Sequence, residues 1–337
     1  MTATADHLTP SDTTRTKVVA ALRSAPAALA LAALFWSGNF VAGRALRDSV
    51  DPITLNFLRW AIALAVIAPF VWNSARVALP VLRREWQLIV ALGATGIASF
   101  HVLVYLALQS TTATSAVLML SLAPIVTLVG SALLRVERPT SHQIGGALIS
   151  IAGAGVLITR GDLSGTLAQG FHAGDLWMLA AVIVWAAYSL LLRRRPADLP
   201  SPVALAASIA AALAMMSPLL CLGIGVTRPL ASLASFTVLL SVAYIALFAS
   251  AIAFLLWSRG VSQLGPVRAG QFVHLMPIFG AGLAFAVLGE LPGREQIIGA
   301  LLVLSGIALV EHRARQANRS IPVRTAVSAP AIVRRST

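Results

Sequence analysis

Charge is scarce in this chain. Only 11% of its 337 residues are charged, against roughly 25% in an ordinary soluble domain. Hydrophobic residues reach 58% and the mean hydropathy is +0.85. Together these exclude a soluble globular fold. Cysteine occurs once, at Cys221, which excludes an intrachain disulfide and a cysteine-rich metal site. No Asp or Glu falls in the middle of an apolar run, so the central carboxylate needed to exchange protons for a lipophilic cation is missing. There is no G-x-x-x-x-G-K-[ST], so ATP is not the driver. There is no H-E-x-x-H, and no Gly-Asp pair lies within an apolar run; Gly161-Asp162 falls in a loop. An intramembrane protease is therefore not expected. The residues imply no catalytic group, no cofactor and no metal, and the chain reads as a non-enzyme.

What the sequence does hold is long apolar runs. They are about 20 residues each, the length of a membrane-crossing helix rather than of a barrel strand. Ten are expected: 27–46, 53–72, 88–108, 113–134, 142–159, 176–192, 203–222, 236–257, 266–288 and 294–311. Residues 1–26 form a polar tail and 312–337 a basic one, both expected to lack order. Arg15, Lys17 and Arg23 before the first run would suit a cleaved signal, but Ser37-Gly38-Asn39 interrupts it and no clean cleavage site follows.

The net charge of +13 does not indicate nucleic acid, because the arginines sit in short loops and tails. With the N-terminus in the cytoplasm, 19 of the 25 Lys and Arg residues fall inside. Only Arg44, Arg47, Arg160, Arg228 and Arg294 fall outside, and Arg59 stays within a span. This asymmetry sets a multi-pass protein of the cell (inner) membrane with both termini cytoplasmic.

The chain also repeats itself. A step of 153 takes Pro124 to Pro277, Glu137 to Glu290, Gly146 to Gly299 and Gly153 to Gly306. A step of 149 takes Trp36 to Trp185. Residues 27–160 and 174–311 are thus read as two copies of one five-helix design. Five is odd, so the second copy enters from the opposite side. The expected fold is an all-α membrane protein of ten transmembrane helices as two inverted repeats. That architecture belongs to secondary transporters, whose site lies between the copies.

Phe35-Trp36-Ser37-Gly38-Asn39-Phe40-Val41, Leu58-Arg59-Trp60, and the stretches Leu122-Ala123-Pro124 to Glu137 and Pro277 to Glu290 resemble motifs of the EamA-like family of the drug/metabolite transporter superfamily. The resemblance spans about residues 27–311. It implies a ten-helix carrier of small metabolites, with export preferred over import. The expected solute is an amino acid or similar neutral or zwitterionic molecule, moved by alternating access. A pump for hydrophobic drugs or toxicants is the main alternative, and a lipid-handling membrane protein a weaker one. Expected partners are a small-molecule substrate and membrane lipid, not nucleic acid.

Specific residues follow. Pro124 and Pro277 interrupt their spans and are candidate hinges. His274 precedes Pro277 by one turn; it either binds or titrates with substrate, or sits neutral on a freed carbonyl. Gln271 extends that polar stripe. Asn39 shares a face with Trp36, and His101 with Tyr105. Trp36, Trp185, Tyr188 and Tyr244 are candidates for a ring-lined cavity. Arg59 either snorkels or holds a carboxylate or carbonyl, and the family resemblance favours a structural contact. Glu137 and Glu290 are expected to cap or pair helix ends, and Trp257 to mark the membrane interface.

Overall fold

A computed structural model describes residues 24–110, 116, 119–136, 139–159, 162–168, 173–224, 226–228, 234–288 and 293–319. These residues form helices α1 (Ala25–Leu46), α2 (Pro52–Val77), α3 (Leu79–Arg84), α4 (Trp86–Ser110), α5 (Ala123–Leu133), α6 (Ser141–Thr159) and α7 (Leu163–Ala168). After these come α8 (Ala173–Arg193), α9 (Ser201–Cys221), α10 (Phe236–Leu264), α11 (Pro266–Gln271), α12 (Leu275–Leu288) and α13 (Arg294–Arg319). Helices α1, α2, α4, α8, α9 and α10 are long and apolar enough to cross a membrane. Prolines stand in the first turn of α2, α5, α9 and α11, where the missing N–H has no intrahelical partner to lose. Gly265, with φ of 81°, turns the chain between α10 and α11.

Four spans depart from continuous α-helices. The third and eighth each contain a π-helical stretch, Gly93–Ser99 within α4 and Ile245–Ile252 within α10. The two stretches end 153 residues apart. A π turn widens the backbone spiral and exposes carbonyls to neighbours. The ninth span is not one kinked helix: a 3₁₀ turn, Phe272–His274, separates α11 from α12 just before Pro277. Likewise Pro124 starts α5 after a turn at Ser121–Leu122. The prolines mark breaks, not bends, because neither can supply the N–H that would carry the ladder across. Beyond the expected end of the tenth span, α13 continues to Arg319.

Packing follows the repeat. α8 lies against α4 and α5, and α1 lies against α10 and α12. α9 touches α4, and α2 touches α10. Each of these contacts is another with the copies exchanged. α2 and α9 pack together, as do α6 and α13. The α6–α13 seam runs antiparallel. Gly146 abuts Gly306, Ser150 Oγ donates to Val303 O at 3.3 Å, and Gly153 abuts Gly299. A Cβ on Gly146 would sit 2.7 Å from the Gly306 oxygen, so the seam closes only because these positions have no side chain.

The exterior is apolar. Phe70, Leu133, Ile183, Leu240 and Leu301 face outward, as lipid contact requires. Trp257 does not join them. It is 1% exposed and packs its ring 5.3 Å from Trp36 and 5.1 Å from Trp185. The exposed tryptophans are Trp72, Trp86 and Trp177; Trp72 carries the Arg76 guanidinium 4.9 Å above its ring.

Polar contacts beyond the span ends also tie one copy to the other. Asp51, before α2, accepts from Thr227 N (3.0 Å), Thr227 Oγ1 (2.7 Å) and Arg228 N (2.8 Å). Burial works against its charge, but these hydrogen bonds and the Arg228 charge hold its carboxyl below the usual value. Arg84, at the end of α3, meets Asp198 across 3.4 Å, and both are exposed.

Candidate functional site

Residues of both copies wall a narrow central cleft. Trp36, Asn39, Phe40, Phe100, His101, Val104 and Leu120 come from the first copy, and Trp185, Val273 and Met276 from the second. The walls approach closely, so this is a nearly filled centre.

Aromatic rings interlock there. Trp36 and Trp185, which the repeat relates, meet edge to face at 5.1 Å. Phe254 packs 5.6 Å from Trp36 and 5.9 Å from Trp185. Such contacts are worth about 0.5–1.5 kcal/mol each beyond area burial. The Trp36 indole donates to Ala249 O at 2.9 Å, an oxygen within the π stretch of α10. Ser37 Oγ lies 3.0 Å from Met276 O and 2.8 Å from Ala33 O, fastening α1 to α12 beside the break.

Every tyrosine in the chain rests on a glycine. A Cβ at Gly43 would reach 2.9 Å from the Tyr105 ring, at Gly96 2.3 Å from the Tyr188 ring, and at Gly38 2.1 Å from the Tyr244 hydroxyl. Tyr188 packs tilted on Trp185 at 5.4 Å and lines a second narrow space with Ser208 and Ser258. Tyr244 is half-buried, donates to Phe35 O at 2.9 Å, and stacks on Phe248.

The polar cluster sits beside Asn39. Arg59 is 0% exposed, so it does not snorkel. Its Nε donates to Ser250 Oγ at 2.7 Å, and its Nη1 to Tyr105 Oη at 2.7 Å and to Asn39 Oδ1 at 3.2 Å. Tyr105 Oη donates to the same Asn39 oxygen at 3.2 Å. A guanidinium within the apolar layer costs about 3 kcal/mol or more, and these three hydrogen bonds to neutral acceptors work against that cost. His101 packs beside the cluster, 6.3 Å from the Tyr105 ring and 6.1 Å from Trp60.

Two features decide what such a centre belongs to: a cavity shared by the two copies, and a family model that matches each copy. The EamA-like transporter family model matches residues 23–159 and again 172–311. The chain belongs to the EamA-like transporter family. It is a multi-pass membrane transporter, not an enzyme. It is 23% identical to an uncharacterized transporter of Archaeoglobus fulgidus, over 86% of this chain and 97% of that protein. It is 27% identical to a probable terminal-alkyne amino-acid exporter of Streptantibioticus cattleyicolor, over 85% and 93%. One crystal structure shares its fold with a TM-score of 0.70 at 26% identity, covering 87% of this chain and 98% of the other.

Of the residues picked out from the sequence of this EamA-like transporter, Trp36, Asn39, His101 and Trp185 line the cavity. Tyr105 and Arg59 stand behind Asn39. Tyr188 faces the second space and Tyr244 packs toward Phe35, so neither borders the centre. His274 is 0% exposed, with Nε2 2.8 Å from Ser121 O; Gln271 is 1% exposed. Their neighbours Val273 and Met276 line the cavity in their place. Glu137 and Glu290 lie outside the described residues. Sequence reasoning missed Ser250 and Asn56. Asn56 is 0% exposed, and its Nδ2 donates to Ile97 O (2.9 Å) and Ala98 O (3.2 Å) of the α4 π stretch. Its place one turn before Arg59 was the available signal.

Proposed function

We propose that the protein is a secondary transporter that exports a small, partly apolar metabolite such as an amino acid. One observation carries the reading: the cavity has an aromatic wall built from both copies and a single polar corner at Asn39 and His101. A solute with an apolar body and one polar end suits that lining once the halves part to admit it. The exporter name carried by the Streptantibioticus relative points the same way.

The proposed architecture is ten spans in two inverted halves. The antiparallel α6–α13 seam supports it, because helices equivalent under the repeat run antiparallel only if the repeat is inverted. The proposed setting is the cell (inner) membrane with both termini cytoplasmic, as the arginine asymmetry argues. Transport proceeds by alternating access: the halves rock, and the breaks before Pro124 and Pro277 act as the flexible points. The tight Asp51 contact then closes the outer side and the looser Arg84–Asp198 contact the inner.

The test is direct. Medium from overexpressing and deletion strains is compared by mass spectrometry, and the enriched solutes are then assayed with purified protein in liposomes. Saturable movement of amino-acid-like solutes is expected; movement of no small solute ends the reading. The largely apolar, aromatic-rich wall also suits a hydrophobic toxicant. A resistance profile without any metabolite flux would favour that second reading.

A further inference from the structure

The transport reading leaves one group unused: a guanidinium sealed in the first copy with two of its donors idle. Arg59 spends Nε and Nη1 on Ser250, Tyr105 and Asn39. Its Nη2 is equally shielded and donates to no protein atom. No salt bridge joins Arg59 to any described carboxylate. All three acceptors are neutral, so the charge has no balancing anion among the described residues. A guanidinium edge offers paired N–H groups in one plane, the geometry that a carboxylate accepts. The cluster also borders the cavity, since the Asn39 oxygen that receives Nη1 belongs to a residue of the cavity wall.

We propose that Arg59, with Tyr105 and Asn39, forms the subsite for the carboxylate of the transported solute. This rests on the transport reading above and narrows its substrate class to solutes bearing one carboxylate and an apolar body. The carboxylate fills the idle Nη2 donors, and Asn39 gives up its share of Nη1 to it. Charge selects the anion. One guanidinium balances one carboxylate, whereas a phosphate dianion leaves net negative charge beside Trp36, Phe100 and Trp185. Ser250 fixes the guanidinium from the far side: its oxygen accepts from Nε while its own proton goes to Ile245 O at 2.8 Å, an i−5 contact made by the π stretch. Tyr105 in turn is seated by Gly43. The subsite is therefore held by elements of both copies.

The experiment uses the full chain in liposomes with radiolabelled leucine and phenylalanine beside leucinamide and phenylalaninamide. The wild type is expected to move the acids and discriminate against the amides, and excess inorganic phosphate leaves acid flux unchanged. Arg59→Gln should lower acid flux about 100-fold, the scale expected when a buried charge pair loses one partner, with amide flux retained. Arg59→Lys keeps the charge but not the planar fork and should recover part of the loss. Equal wild-type flux of acid and amide overturns the carboxylate subsite while leaving transport intact, and needs no variant to fold. Inhibition by phosphate overturns the choice of carboxylate. Arg59→Gln with acid flux within a few-fold of wild type also overturns it. No flux of either acid or amide removes the amino-acid transport reading itself, and this proposal with it.

Discussion

His274 Nε2 lies 2.8 Å from the carbonyl oxygen of Ser121, and the two residues are 153 apart, the offset that relates the copies. Repeat-related residues that touch lie on the axis between the copies. Ser150 and Val303, also 153 apart, make a second such contact. Pro124 starts a new helix three residues on, so the Ser121 carbonyl has no N–H from that residue to accept. His274 supplies a donor instead.

His274→Ala should therefore destabilise the protein by about 0.5–1.5 kcal/mol, the net worth of one lost hydrogen bond. His274→Gln, whose amide reaches a similar distance, should restore most of it. Thermal unfolding checks the pair. Transport by the Gln variant should keep the wild-type pH profile between pH 5 and 8; a flattened profile would mean that the ring itself titrates during transport.

The Asp51 contact gives a pH prediction outside the spans. Hydrogen bonds from Thr227 and Arg228 hold the folded carboxyl below its unfolded value, which is about 3.9. Its contribution to stability is thus full above the unfolded value, and is lost as pH falls through the lowered folded value. Asp51→Asn should cost about 1–3 kcal/mol at neutral pH, and the gap from wild type should close as the buffer is taken down into that acid window. Arg84→Ala should leave the unfolding temperature close to that of the wild type, because Arg84 and Asp198 are both exposed. Unfolding temperatures across a pH series read both.

Much of this was legible in the sequence. The apolar runs gave the helices, and the 153-residue offset matched Pro124 to Pro277 and Gly146 to Gly299 as equivalents in the two copies. Trp36, Asn39, His101 and Trp185, which line the central cleft, were singled out because i, i+3 and i+4 spacing and the repeat put polar and aromatic groups on one face. What escaped depends on partners distant in the chain. A π stretch has no compositional signature, so the roles of Ala249 and Ser250 were invisible. Trp257 read as an interfacial residue because it ends an apolar run, yet Trp36 and Trp185 bury it. Periodicity put His274 and Gln271 on a shared stripe, but the 3₁₀ turn at Phe272–His274 rotates that face off the cavity and brings Val273 and Met276 round.

The glycine beneath Tyr188 offers a sharper test of packing. A Cβ at Gly96 would sit 2.3 Å from the ring, and Gly96 lies in the π stretch, where the backbone is already spread. Gly96→Ala must push Tyr188 toward Trp185 or separate α4 from α8. A cost of about 1–3 kcal/mol is expected for such overpacking. Pairing it with Tyr188→Leu removes the ring plane that clashes, and the double variant should be less destabilised than the sum of the two singles. Additive losses would show that Gly96 acts through the backbone instead.

The α6–α13 seam should respond differently, because there the obstacle is backbone. At Gly146 the nearest atoms to an added Cβ are Val310 Cγ2 at 2.4 Å and Gly306 O at 2.7 Å. The first belongs to a side chain and can rotate away; the second cannot move without shifting α13. Gly153 is similar, with Val303 N at 2.7 Å and Gly299 O at 2.8 Å. Helices in lipid associate through close packing rather than hydrophobic drive, so prising the seam apart forfeits its main source of stability. Gly146→Val and Gly153→Val should each lower the unfolding temperature more than Gly145→Val, a position with nothing within 4 Å of its Cβ site. No rescue is expected from Val310→Ala, since the Gly306 carbonyl would still block closure. Recovery by that second change would place the obstacle in the side chain and show that the two backbones are free to separate.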